Sequence, residues 1–318
     1  MEKIFWRSKD GKSAPPKARF HLWPFVGKRL SLEHFNIVSE LTSPSKGIRV
    51  IKRVDKPTKE EWVQKVRHIL SYIQAGSLQK VVLARETTLH LEKAPDPFQL
   101  TAALAKKSVG ATLFCIQFDK EKAFFGATPE RLFRSDEQTL FVEAVAGTRK
   151  RGATLSENES LIKELLSSSK DISEFQFVQD YFKHYFPSIS FAPSSIHSTA
   201  NVHHLFSQGT CPLPSSLHPL DLVEILHPTP ALAGVPKKEA LLWIQAQEPF
   251  ARNLYGGIIG WEDKKQSEWS VAIRSCLLEG SIAKLYTGVG IVADSDPDLE
   301  WEELEAKLSL YDSLFENL

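Results

Sequence analysis

Near the end of the chain Glu300, Glu303 and Lys307 stand at i, i+3 and i+7, which on a helix is one narrow stripe. Carboxylates on adjacent turns make a hard-cation site if another segment adds oxygen. The plain alternative is a solvated acidic face with an i, i+4 Glu303–Lys307 pair. Four other stretches carry more polar specificity than a core requires. In Gln79-Lys80-Val81-Val82-Leu83-Ala84-Arg85 a lysine opens an apolar strand. It is either a solvated strand end or, if partly buried, a general base. Phe125-Gly126-Ala127-Thr128-Pro129-Glu130-Arg131-Leu132 is a tight turn presenting one acid, Glu130, as a catalyst or as the partner of a nearby arginine. Glu143-Ala144-Val145-Ala146-Gly147-Thr148-Arg149 is a strand ending in small residues, where backbone can approach a ligand. Lys170-Asp171-Ile172-Ser173-Glu174 puts Glu174 on a helix whose other face is apolar. From there it can supply the carboxylate that the closing helix lacks.

These residues need elements to hold them. Thr58-Lys59-Glu60-Glu61 is a capping box opening a helix with Trp62, Val66, Ile69 and Ile73 inside, stopped at Ala75-Gly76. Lys80 to Leu91 reads as a strand, and Asp96-Pro97 opens a second helix. Strands are predicted over 111–118, 122–126, 131–134 and 139–144, and helix over 157–186. Further strands are predicted near 189–192 and 202–207, and helices over 220–226 and 237–245. Three strands, 255–261, 268–277 and 282–289, precede the closing helix. On that helix Trp301, Leu304, Leu308, Tyr311 and Phe315 form one buried stripe. Residues 1–55 read as a short strand and loop portion ahead of a catalytic core at 56–318, the whole forming one domain. Strands in blocks with irregularly placed helices imply an α+β fold.

The bulk properties exclude several classes. The 39 basic and 39 acidic residues balance, which argues against a nucleic-acid or membrane-surface binder. No run approaches the roughly 18 apolar residues of a membrane helix, and Met1-Glu2-Lys3 does not open a signal peptide. Cys115, Cys211 and Cys276 stand in no metal-ligand spacing, and Cys115 and Cys276 fall in strand-like runs, so buried free thiols and a cytoplasmic location are expected. Gly288-Val289-Gly290 lacks the third glycine of a dinucleotide fingerprint.

Taken together, these stretches resemble the chorismate-utilising enzymes, and within them the isochorismate synthases. The likeness runs from about residue 60 to the end, through His227-Pro228-Thr229-Pro230, Tyr255-Gly256-Gly257, Ala272-Ile273-Arg274-Ser275 and Gly288-Val289-Gly290. Each motif is weak alone; their order and spacing are specific. The resemblance implies two large antiparallel-rich sheets packed with helices around a central cleft. It further implies conversion of chorismate to isochorismate, with Lys80 as base activating water for attack at C2 and Glu130 as acid protonating the departing C4 hydroxyl. Mg2+ would be held by Glu174 and Glu303, with Glu300 acting through water, against the ring carboxylate, and Lys307 would assist. Arg274, Tyr255 and the Gly288 backbone would hold the enolpyruvyl carboxylate, Gly147 and Thr148 would line the ring, and His204 would sit near the C4 oxygen. Ammonia-using relatives carry glutamine at the place of Lys80, or lysine at the place of Ala146. This chain therefore looks like the water-adding branch, a monomer with no glutamine amidotransferase subunit. The rivals are a salicylate synthase, which goes on to eliminate pyruvate, and a non-catalytic chorismate-binding paralogue. Only 79 residues precede Lys80, which suggests a trimmed N-terminal sheet.

Overall fold

In a computed structural model, residues 2–32, 34–44, 47–198, 202–214 and 217–318 are described; positions 1, 33, 45 and 46 of the N-terminal portion lie outside them. The local signals act where they stand. Thr58 caps the helix Lys59–Gln74 through a reciprocal capping box with Glu61, and Trp62, Val66 and Ile69 are buried beneath it. Asp96 caps Pro97–Ala105, and Asp296 caps the closing helix Pro297–Leu308 by accepting from the amides of Asp298 and Leu299.

The strands form two sheets, ten-stranded and nine-stranded among the described residues. At the centre of the first, Lys80–Leu91 and Ile282–Ile291 pair antiparallel along ten residues. Outward from Ile282–Ile291 follow Ser275–Glu279, Lys122–Thr128 and Thr112–Gln117, then Lys3–Arg7 and Asn36–Val38. The second sheet is built around Thr139–Lys150, with Val202–Pro212 on one side. On its other side come Arg131–Ser135, Ser267–Val271, Ile258–Glu262 and Arg19–Trp23. Pairing is antiparallel throughout the described residues except for Lys3–Arg7 with Asn36–Val38 and Ile48–Lys56 with Phe315–Glu316. This is the α+β, antiparallel-rich architecture expected. A cluster joining Ile4, Phe114, Phe124 and Tyr286 of the first sheet to Phe20, Leu22, Ile259 and Trp261 of the second packs the two together. The N-terminal portion therefore contributes strands to both sheets.

Three expectations need correction, and one strand was not foreseen. The run 268–277 is two strands, Ser267–Val271 and Ser275–Glu279, and they belong to different sheets. The chain turns between them at Arg274, whose φ of 50° lies in the left-handed region, a conformation that breaks strand alternation. The helix expected over 157–186 divides at Ser168, whose side chain caps Ser169–Tyr185 by accepting from the Asp171 amide. The closing helix stops at Leu308, with Tyr311 in a 3-10 turn and Phe315 in a short strand. Tyr311 and Phe315 are nonetheless buried, as the apolar stripe requires. The strand Ser195–Ser198, paired with Val202–Pro212, has no counterpart in the sequence reading. The three cysteines are free and buried.

Candidate active site

The chain passes from the first sheet to the second at Pro129-Glu130 and back again at 272–274. The two crossings lie side by side, pinned by Val271 N–H to the Glu130 carbonyl at 3.0 Å and Ala127 N–H to the Arg274 carbonyl at 3.1 Å. Gly126 is required here, because a Cβ would stand 2.7 Å from the Arg274 carbonyl oxygen. The crossings put Glu130 and Arg274 on the wall of one pocket between the sheets. No ion pair reaches either side chain among the described residues, although Arg274 is buried. Burial pushes the Glu130 carboxyl up to about 7, with the Lys80 charge pulling the other way. Burial likewise lowers the Arg274 guanidinium, so a charge-bearing group here lacks a countercharge.

The floor of the pocket is the central strand pair. Lys80 and Val82 face it from one strand, Tyr286, Gly288 and Gly290 from the other. The glycines have a steric purpose. A Cβ on Gly288 would lie 2.7 Å from the Tyr255 hydroxyl, and one on Gly290 would lie 2.6 Å from Lys80 Cε and 3.0 Å from Glu174 Oε1. Room is thus left for three polar side chains to cross the strand face. Lys80 is buried, with Nζ 3.5 Å from Glu174 Oε2. Tyr255 stacks on Tyr286 with ring centroids 5.2 Å apart, and burial raises its hydroxyl to about 12, so it stays a donor. From the closing helix Lys307 donates to the Gly288 carbonyl at 2.8 Å and pairs with Glu303 at 2.7 Å.

The opposite wall comes from the second sheet. The register of Thr139–Lys150 shifts between Ala146 and Arg149, and Gly147 at the shift has φ of 71°. A Cβ there would meet the Asp171 side chain at 2.9 Å, so only glycine serves. The Gly147 carbonyl accepts from His204 Nδ1 at 3.0 Å, with Thr148 Oγ1 3.2 Å from the same nitrogen. Burial, reinforced by Arg274, lowers His204 to about 3. The ring is therefore neutral, and its Nε2 is a buried acceptor with no partner among the described residues. Strand alternation sends His203 the other way, to Ser198 and Asn158.

Eleven of the twelve expected site residues line this pocket: Lys80, Glu130, Gly147, Thr148, Glu174, His204, Tyr255, Arg274, Gly288, Glu303 and Lys307. Glu300 does not. It is buried in a neighbouring chamber that shares Thr148 and Glu303 as a common wall. Lys170, missed in the sequence, explains its position: Lys170 Nζ lies 2.5 Å from Glu300 Oε1. Burial and the Glu303 charge push Glu300 up, while Lys307 and Lys170 outweigh burial and hold Glu303 down. No three His, Cys, Asp or Glu side chains among the described residues converge tightly enough to cage a metal by themselves. Even so, the donors are all carboxylate oxygens. Glu300 Oε2 is buried without a partner, and Lys170 sits in the combined field of Glu300, Glu303 and Glu174. That set fits a hard cation that keeps several waters. Arg252 also lines the pocket and was missed.

The profile of the family described as chorismate binding enzyme matches residues 27–314. The chain is 35% identical over 294 residues to isochorismate synthase 2, chloroplastic, of Arabidopsis thaliana, covering 90% of this chain and 52% of that protein. It is 30% identical over 316 residues to isochorismate synthase MenF of Escherichia coli, covering 96% of this chain and 72% of that one. The chain thus spans about half the length of the plant relatives it matches. The solved structure of the Escherichia coli menaquinone-specific enzyme superposes with a TM-score of 0.86 at 25% identity, over 99% of this chain and 89% of that one.

Proposed function

The chain belongs to the chorismate-binding enzyme family, and from that premise we propose that it converts chorismate to isochorismate. The observation that carries the reading is Glu130, a carboxyl with no ion-pair partner, held near neutrality in a pocket that also holds buried Lys80. Such a group is half protonated where cells work, the condition for a general acid. Lys80 takes a proton from water as it attacks C2, the ring double bond shifts, and Glu130 gives its proton to the hydroxyl leaving C4. Arg274 grips the enolpyruvyl carboxylate, which supplies the missing countercharge. Tyr255 donates to the same carboxylate. His204 Nε2 accepts from the substrate hydroxyl, since its other nitrogen is committed to Gly147. Magnesium, held by Glu174 and Glu303 with Glu300 behind them, would neutralise the ring carboxylate beside Lys307. Ala146, lining the pocket without an amine, leaves water as the nucleophile.

The test is incubation with chorismate and Mg2+, followed by chromatographic separation of isochorismate, salicylate and chorismate. Isochorismate alone supports the reading. Salicylate with pyruvate moves the chain to the elimination branch, and aminated product from ammonium salts at a matching rate overturns the branch assignment. No turnover at all leaves the non-catalytic paralogue.

A further inference from the structure

The strand that carries Lys80 has an incomplete outer edge. Its inner edge pairs continuously with Ile282–Ile291. On the outer edge Ile48–Lys56 pairs from Glu86 onward and Gly234–Val235 pairs with Lys80 and Val81. Between them residues 82–85 have no strand partner among the described residues. The Val82 amide donates to the Ala233 carbonyl at 2.8 Å. Two of the remaining polar groups are met by side chains rather than by a strand. The Val82 carbonyl accepts from Arg252 Nη2 at 2.7 Å, and the Ala84 amide donates to Glu248 Oε1 at 3.0 Å.

Arg252 and Glu248 are bound to each other through two contacts, Nε to Oε2 at 2.8 Å and Nη2 to Oε1 at 2.5 Å, and both are buried. The same guanidinium donates to the Leu232 carbonyl at 2.8 Å and lies 4.3 Å over the Phe25 ring. The Arg252 carbonyl accepts from the Tyr255 amide at 2.9 Å. Lys80, Leu232 and Tyr255 all line the pocket. Three separate segments of its wall therefore meet at one ion pair. For stability alone a buried pair is a poor choice, because apolar residues of the same size do as well or better. Only a planar, two-pronged cation reaches two carbonyls and a carboxylate at once.

We propose that Glu248 and Arg252 are positioning residues, a side-chain clamp standing in for a missing strand segment and setting where Lys80 and Tyr255 lie in the pocket. The proposal rests on Lys80 acting in the reaction. Arg252→Met is compared with the unaltered chain for melting temperature, backbone hydrogen exchange, kcat and KM for chorismate. The expected variant is folded at the assay temperature, exchanges faster only over 80–86 and 229–235, and loses about tenfold or more in kcat with KM within about threefold, because a small displacement of a reacting group is costly. Unchanged kcat in a folded variant, or exchange that rises across both sheets together, overturns the clamp. Should Arg252→Met not fold, Glu248→Gln carries the same test, since the amide keeps an acceptor for Ala84 and removes the charge; if neither folds, the pair is structural and the proposal falls. Failure of the underlying reading looks different: the unaltered chain makes no isochorismate, or Lys80→Ala keeps its rate.

Discussion

Glu130 and Arg131 are neighbours in the chain, yet they face two regions of opposite character. Behind the pocket, Arg131 spends its donors on Glu268 at 2.8 Å, Glu143 at 3.1 Å and Asp10 at 2.7 Å, and Lys9 shares Glu143 at 2.6 Å. Every charge there has an opposite charge beside it. Inside the pocket, Glu130 and Arg274 have none within ion-pair distance among the described residues. Glu130 lies in the crossing between the sheets and Arg131 opens the strand Arg131–Ser135, so adjacent residues enter different environments. Saturated charge holds the molecule together; unsaturated buried charge is destabilising, and persists where a ligand completes it. The Arg131 cluster also ties residues 9 and 10 to the central strands, and Lys9 Nζ lies 3.5 Å from the Pro129 carbonyl. The N-terminal portion thus reaches the backbone next to the proposed acid.

The comparison breaks first, and hardest, at the saturated side. Arg131→Met removes a cation that three carboxylates share, leaving Glu143 only Lys9, and loss of one partner of a buried pair costs on the order of 3–5 kcal/mol. Thermal melting should fall sharply, while kcat per folded molecule stays near the unaltered value. A large fall in kcat at a temperature where the variant is folded would place Arg131 in the reaction instead. The unsaturated side should behave inversely. Lys80→Ala and Glu130→Gln each lose at least about 100-fold in kcat, the usual scale for a general acid or base, and Glu130→Gln melts no lower than the unaltered chain. Chorismate binding should survive, since Arg274 and Lys307 remain. A Lys80→Ala protein that melts low and keeps its kcat would make this lysine structural.

A third prediction tests the carboxylates on the closing helix. Excess chelator should abolish turnover and Mg2+ restore it. Glu303→Gln should raise the Mg2+ concentration needed by about 10- to 100-fold, read both by activity and by calorimetric titration of Mg2+. Undiminished turnover in chelator would remove the metal from the mechanism.

How much of this was legible follows from how local each cause is. Thr58, Asp96 and Asp296 cap helices through bonds to residues two or three positions away, so their sequence signals suffice. The strand Lys80–Leu91 was legible at both ends from its composition. The split at Arg274 was not, because apolar alternation continues through Ala272 and Ile273, and an arginine at positive φ has no local mark. Glu300 was placed on its helix, but a helical wheel gives only its angle, and Lys170, from a distant segment, decides that it faces the neighbouring chamber. The clamp at Glu248 and Arg252 escaped for the same reason, since its partners are carbonyls and an amide contributed by strands and loops far along the chain.

The smallest predicted effect is the most specific, because two carboxylate-to-amide changes should move stability in opposite directions. Glu130 titrates near 7 in the folded chain and near 4.5 when unfolded. Between those values the folded state binds more protons than the unfolded state, so stability falls as pH rises through that window. Above pH 7 the whole penalty is present, and below about 4.5 it is gone. The shift caps the penalty at about 3 kcal/mol; because Glu130 is only half-buried by surface area, solvent screening reduces that to on the order of 1–2 kcal/mol. Glu130→Gln carries no such penalty, so it should melt higher than the unaltered chain at pH 8, with the advantage vanishing toward pH 4. Glu143→Gln deprives Arg131 and Lys9 of their shared partner and should melt lower at pH 8. The measurement is a set of thermal melts of all three proteins at pH 8, 6 and 4. If Glu130→Gln melts at or below the unaltered chain at pH 8, Glu130 is already satisfied in the folded protein. The contrast between the two regions would then collapse, and with it the reason to read Glu130 as an acid held for a substrate.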